Sequence, residues 1–188
     1  MPDDSLRERG RALEEEYFRK RDQELVEKMR RAAAADKTRQ ELTAASGLQD
    51  PELVKELEEL GFTPDTVRLL PFVPLIQVAW AEGDVSPQER TLIVDLARSR
   101  GISEGSPADR ELARWLSTRP SDAMFERATR LVRALLASET PSAGMLTGED
   151  LVKYCESIAA ASGGVFGIKR VSDEERAILE KIAGELRQ

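Results

Sequence analysis

Apolar residues recur at helical spacing along most of the chain, and runs of alternating apolar and polar residues long enough for a strand are nearly absent. Ser, Thr or Asp stands before proline at several points where such a segment begins, which is how helix N-termini are commonly capped. The pattern therefore predicts an all-α protein. The predicted helices cover residues 6–35, 38–45, 51–60, 65–82, 87–100, 107–117, 122–138, 148–162 and 173–187.

The first predicted helix differs from the others because it is dense in charges of both signs. Its apolar residues form only a thin stripe, which consists of Leu13, Tyr17, Phe18, Leu25, Val26 and Met29. A thin stripe is typical of a projecting helix, a coiled coil or a helix that lies in a partner's groove. The tract AAAADKTRQ at 32–40 indicates a hinge or a fraying end. We therefore predict an amphipathic helix over 1–38, a short helical connector over 39–64 and a helical bundle over 65–188.

Two segments of the predicted bundle resemble each other, residues 73–102 and residues 154–186. Each contains an apolar, alanine-rich helix, a glycine turn, a Val-Ser pair, a Glu-Arg pair and a second helix. Glu89-Arg90 in the first copy corresponds to Glu175-Arg176 in the second. We interpret the repeat as two helix–turn–helix hairpins that pack with pseudo-symmetry.

The turn of the first hairpin, AEGDVSPQER at 81–90, partly matches a calcium-binding loop. Gly83 and Glu89 fall where such a loop needs its central glycine and its closing glutamate, but Val78 and Trp80 occupy positions that require carboxylates. Ser86 and Glu89 also form a capping box. A helix–turn–helix with Gly83 at the helix C-terminus is one reading. A weak site for Ca²⁺ or another divalent cation is the alternative, and its candidate ligands are Glu82, Asp84, Glu89, Asp173 and Glu175.

Composition narrows the possible functions. The chain has no histidine, which excludes a histidine base, and its single cysteine excludes an internal disulfide. A net charge of −7 and 5% aromatic residues argue against nucleic-acid binding. No membrane span or signal peptide is evident, so we expect a cytoplasmic protein. SGGVFGIKR at 162–170 lacks phosphate-loop spacing and predicts a glycine-rich hairpin whose tip is a partner candidate if Phe166 and Ile168 are exposed.

The stretch AWAEGDVSPQERTLI, within an apolar helix–acidic turn–helix pattern, resembles the TerB-like (tellurite-resistance-associated) helical domain over about residues 65–187. The resemblance implies a helical bundle with an acidic surface that binds divalent metal, and a role in stress response. Separately, Glu14-Glu15-Glu16-Tyr17-Phe18-Arg19 and the following Gln23-Glu24-Leu25 are similar to the inhibitory helix of the mitochondrial-type ATP synthase inhibitor protein. That resemblance implies a helix that inserts into a rotary ATP synthase.

No pairing of a nucleophile with a base is readable, so we expect a non-catalytic adaptor or regulator. Tyr17 and Phe18 are adjacent aromatic residues that cannot share one side of a lone helix, and they either dock on the protein's own body or anchor a partner. A homodimeric coiled coil of this helix is a further possibility. The residues predicted to bind a partner are Glu14, Tyr17, Phe18, Arg19, Leu25 and Met29.

Overall fold

The computed structural model describes residues 2–137, 147–161 and 172–186, with side chains described from Glu14 to Glu185. These residues contain helices and no strand, which confirms the all-α prediction for the described part of the chain. The chain divides into two compact units, Met1–Gln40 and Glu41–Gln188. None of the described helices combines the length and the apolar character that a membrane span requires.

The helices lie close to where caps and periodicity predict them. They are α1 (Pro2–Ser46), α2 (Pro51–Glu59), a 3₁₀ helix (Val67–Phe72), α3 (Val73–Ala79), α4 (Pro87–Ser99), α5 (Pro107–Ser117), α6 (Asp122–Ala137), α7 (Gly148–Ala161) and α8 (Asp173–Leu186). The Ser106 hydroxyl accepts a hydrogen bond from the Asp109 backbone N–H at 3.1 Å, so the cap predicted before α5 is present.

Two boundaries differ from the prediction. The prediction of a break between residues 35 and 38 is wrong, because α1 continues without interruption to Ser46. Alanine has the highest helix propensity, and the Thr38 hydroxyl donates to the Ala34 carbonyl at 3.0 Å, as it can in an unbroken helix. The single helix expected over 65–82 is instead a 3₁₀ helix followed by α3. Pro71 and Pro74 supply no backbone N–H, which interrupts the α-helical hydrogen bonds there.

The core of the second unit is built around α3. This short helix packs against α4, α6, α7 and α8, and its residues Leu75, Ile76 and Val78 are completely buried. The segment 39–64, expected to be a connector, supplies part of the same core through Leu42, Leu48, Val54, Leu57 and Phe62. Residues 41–64 therefore belong to the second unit.

Both tryptophans take part in this packing. Trp115 is buried and contacts Phe62 edge to face, with ring centroids 5.8 Å apart. Trp80 is half-buried, and its indole N–H donates to the Trp115 carbonyl at 2.8 Å. Cys155 is buried, and burial raises the pKa of its thiol to about 12, which makes it a small core residue rather than a nucleophile.

Thr129 on α6 carries a buried hydroxyl that has no hydrogen-bond partner among the described residues. A buried polar group without a partner costs free energy, so we expect Thr129→Val to stabilise the protein by about 1 kcal/mol. Thr129→Ser keeps the hydroxyl, removes the methyl group and should destabilise. Urea denaturation of the three proteins measures both changes. A destabilised valine variant would mean that the hydroxyl is hydrogen-bonded.

Candidate protein-interaction site

The two predicted turns end in capping boxes of the same geometry. In the first, the Ser86 backbone N–H donates to Glu89 Oε2 at 2.8 Å and the Glu89 N–H donates to the Ser86 hydroxyl at 3.3 Å. In the second, Ser172 and Glu175 make the same pair of bonds at 2.7 and 3.1 Å. Gly83 has a φ of +97°, which a residue with a side chain rarely adopts. AEGDVSPQER is thus a turn between α3 and α4, as the helix–turn–helix interpretation predicted, but Gly83 lies within the turn, because α3 ends at Ala79 with Trp80 as its C-cap.

Both capping glutamates are buried, Glu89 with 2% and Glu175 with 0% of its surface exposed. The pKa of Glu89 is raised because burial disfavours the charged carboxylate; the Ser86 hydrogen bonds oppose this, and the charges of Glu175 and Glu82 add to it. The two hairpins therefore bring equivalent acids of the two copies close enough to repel each other. The two glutamates that correspond in the sequence repeat are therefore also close together in the folded protein.

The candidate metal ligands are only partly brought together. The charges of Glu82 and Glu175 contribute to the raised pKa of Glu89. Asp84, by contrast, is exposed. Asp173 is also exposed, and its carboxylate pairs with the Arg176 guanidinium at 3.5 Å. Within residues 2–137, 147–161 and 172–186, no group of three or more His, Cys, Asp or Glu residues is placed to hold a metal ion. The capping bonds already use the carboxylates of Glu89 and Glu175. Calcium titration followed by thermal melting tests the metal prediction.

The first unit presents most of the large hydrophobic side chains that are exposed in the described structure. Tyr17, Phe18, Leu25, Val26 and Met29 are all between 46% and 64% exposed. At 100° per residue, Phe18, Leu25 and Met29 lie within about 40° of one another around the helix axis. We call these three residues the α1 stripe. Side chains this large are costly to leave in water, so the stripe is suited to binding.

Tyr17 lies about 100° around the helix axis from the centre of the stripe, on the opposite side from Arg19. Its ring contacts Phe18 edge to face at 5.9 Å. The Arg21 guanidinium donates to the Tyr17 hydroxyl at 2.9 Å and lies 5.9 Å from the ring centroid. Arg21 thus restrains the Tyr17 side chain, which lowers the entropy lost when a partner covers it.

Charged residues border the stripe on both sides. Glu15 and Asp22 lie along one edge, within about 60° of the stripe's centre, and Arg21 and Lys28 lie along the other. Neither Glu15 nor Asp22 makes an ion pair with another described residue. Glu14 also lies next to the stripe, whereas Arg19 is about 100° away from its centre. A partner could therefore be oriented by charge as well as by apolar contact.

The predicted partner-binding residues all lie on α1, but the prediction missed two features. Val26, 46% exposed, is in the predicted apolar stripe but was left out of the predicted partner-binding residues. Arg21 was not singled out, although an arginine four residues after a tyrosine on a helix can reach it, and that spacing was the available signal. The side chain of Leu13 and the whole SGGVFGIKR segment, with Phe166 and Ile168, lie outside the described residues.

No protein-family model matches the chain, and no curated protein and no solved structure matches it. The resemblances to the TerB-like domain and to the ATP synthase inhibitor helix therefore stay predictions from sequence.

Proposed function

We propose that the protein is a non-catalytic adaptor or regulator that binds a protein partner through α1. One observation carries the proposal: Phe18, Leu25 and Met29 form an apolar stripe on a charged helix, and each is more than half exposed. Burying such a side chain stabilises a complex by about 1.5–3 kcal/mol, so three of them can supply most of a moderate affinity.

The spacing of the stripe favours a groove over a long coiled coil. Residues 18, 25 and 29 follow a helix-in-groove pattern of anchors one and two turns apart. A coiled coil needs an apolar seam sustained over at least three heptads. Here the seam position between Phe18 and Leu25 is Asp22, and in a parallel homodimer two such aspartates would face each other. A receptor groove avoids that repulsion.

The finer form of the proposal is that the partner is a rotary ATP synthase, which α1 inhibits by insertion. Its support is the similarity of Glu14-Glu15-Glu16-Tyr17-Phe18-Arg19 to the inhibitor helix, and the exposure of both aromatic residues of that run. Addition of the full chain to a purified rotary ATP synthase should lower its ATP hydrolysis, and Phe18→Ala should relieve the inhibition. Unchanged hydrolysis at saturating protein would contradict the finer form alone.

The broader proposal is tested by affinity capture with the full chain. The baits are the wild type, the double variant Phe18→Ala/Leu25→Ala and the matched control Leu92→Ala, which removes an exposed leucine from α4. We expect a protein that the wild type and the control retain and the double variant loses. Retention of the same proteins by all three baits would contradict a role for the stripe.

A further inference from the structure

A groove between α2 and α6 of the second unit has a chemistry that complements the α1 stripe. Its cavity is about 510 Å³ and is lined by Leu53, Glu56, Arg130, Arg133, Ala134 and Ala137. Leu53 and Ala134 are half-buried and form an apolar floor. Small alanines on one side leave room for a larger side chain to enter.

The rim of the groove contains one arginine that is not neutralised. Arg127 pairs with Glu56 and Glu59, both at 2.8 Å, and Arg130 pairs with Glu56 at 3.0 Å. Arg133, one turn further along α6, is exposed, and its guanidinium makes no ion pair or hydrogen bond with another described residue. The groove thus combines an apolar floor with a single available cation.

The α1 stripe has the opposite arrangement. Phe18 and Leu25 are exposed apolar side chains about 10 Å apart along the helix, and Asp22 lies between them at one edge without an ion-pair partner among the described residues. A helix seated with its stripe on the groove floor could place Asp22 beside Arg133. Such a contact between opposite charges sets orientation and excludes other registers.

We infer that α1 of one molecule docks in the α2–α6 groove of a second copy of the same chain, with Asp22 paired to Arg133, so that self-association covers the stripe. The inference rests on the proposed function, because the second copy would regulate the same binding surface by covering it. A partner and a second copy then compete for Phe18 and Leu25. The reciprocal contact gives a symmetric dimer, in which each helix occupies the other molecule's groove.

The test is sedimentation equilibrium of the full chain over a range of concentrations. We expect a reversible dimer. Asp22→Arg and Arg133→Asp should each raise its Kd by about tenfold, because each places like charges together. The double variant Asp22→Arg/Arg133→Asp restores opposite charges in both contacts and should return the Kd to within about threefold of wild type. Glu16→Arg makes the same charge change on the far side of α1 and should have little effect.

Several outcomes would overturn the inference. The chain stays monomeric at every concentration, or neither single variant changes the Kd of the dimer. A third such outcome is that the double variant dimerises no more tightly than the single variants do. A dimer weakened by Phe18→Ala but not by Arg133→Asp would mean that the stripe binds elsewhere, which leaves the proposed function intact. The proposed function itself is tested separately, by affinity capture with the Phe18→Ala/Leu25→Ala bait. Unchanged thermal melting of each variant shows that the fold is retained.

Discussion

Glu89→Ala will lower the free energy of unfolding by about 2 kcal/mol. The substitution removes the carboxylate that accepts the Ser86 N–H at the start of α4, and it leaves that donor without its partner in a partly buried place. It also empties the volume of a side chain that is only 2% exposed. Urea denaturation at pH 7 measures the loss.

Glu89→Gln should instead stabilise the folded protein at pH 7, because the amide oxygen can still accept the hydrogen bond from the Ser86 N–H while the negative charge is gone. The pKa of Glu89 is raised in the folded protein, mainly by burial, so the folded state holds its proton more tightly than the unfolded state. The part of the stability that comes from protonation of this carboxyl is therefore fully present below the ordinary value of 4.5 and is lost as the pH rises through the folded-state pKa. At pH 7 the glutamine variant should melt at a higher temperature than wild type.

The pH dependence separates Glu89 from other acids. The pKa of Asp109 and that of Asp150 are lowered by hydrogen bonds, from the Gly105 N–H and the Thr147 hydroxyl first. Their contribution to stability is present above pH 3.8 and is lost as the pH falls further. The melting temperature between pH 4.5 and 7 therefore reports mainly on groups whose pKa is raised in the folded protein. Glu104→Gln, at an exposed position whose charge does not contribute to the raised pKa of Glu89, is the matched control. A glutamine variant as unstable as the alanine variant at pH 7 would contradict the account.

Tyr17→Ala/Phe18→Ala will weaken partner binding by about 100-fold or more while leaving thermal unfolding unchanged. Aromatic anchors commonly contribute about 2 kcal/mol or more each to an interface, and both rings are more than half exposed in the free protein. Exposed positions outside special geometry change stability by only about 0.5 kcal/mol. Calorimetric titration with the captured partner gives the affinity.

Tyr17→Phe refines this prediction. It removes only the hydroxyl that accepts the Arg21 hydrogen bond and keeps the ring, so the affinity should fall by less than about tenfold. Leu92→Ala should bind as the wild type does. Full binding by the double alanine variant would show that these two residues are not anchors.

Local signals predicted the parts of the fold that depend on few neighbouring residues. The Ser86–Glu89 and Ser172–Glu175 capping boxes are readable because each involves residues only three apart. The continuation of α1 past residue 36 was missed, although the four alanines at 32–35 favour helix, because a small-residue tract without apolar neighbours looks like a hinge. Membership of Leu42 and Leu57 in the main core depends on tertiary packing, which their spacing alone does not specify.

The candidate surfaces were predictable to different degrees. The stripe on α1 follows from helical periodicity, so Phe18, Leu25 and Met29 could be named from the sequence. The approach of Glu175 to Glu89 required the two hairpins to pack on each other, which the repeat suggested without locating the acids. The α2–α6 groove could not be predicted, because its residues lie about 75 positions apart along the chain and are joined only by folding.

Photocrosslinking tests the central claim, that the α1 stripe is a protein-binding surface, most directly. A photoreactive residue in place of Leu25 is compared in cells with one in place of Leu92, since both side chains are exposed and only the first belongs to the stripe. The account predicts a discrete crosslinked protein from position 25 that is absent from position 92 and disappears when Phe18→Ala is added. No crosslink at position 25, or the same crosslinks from both positions, would contradict it.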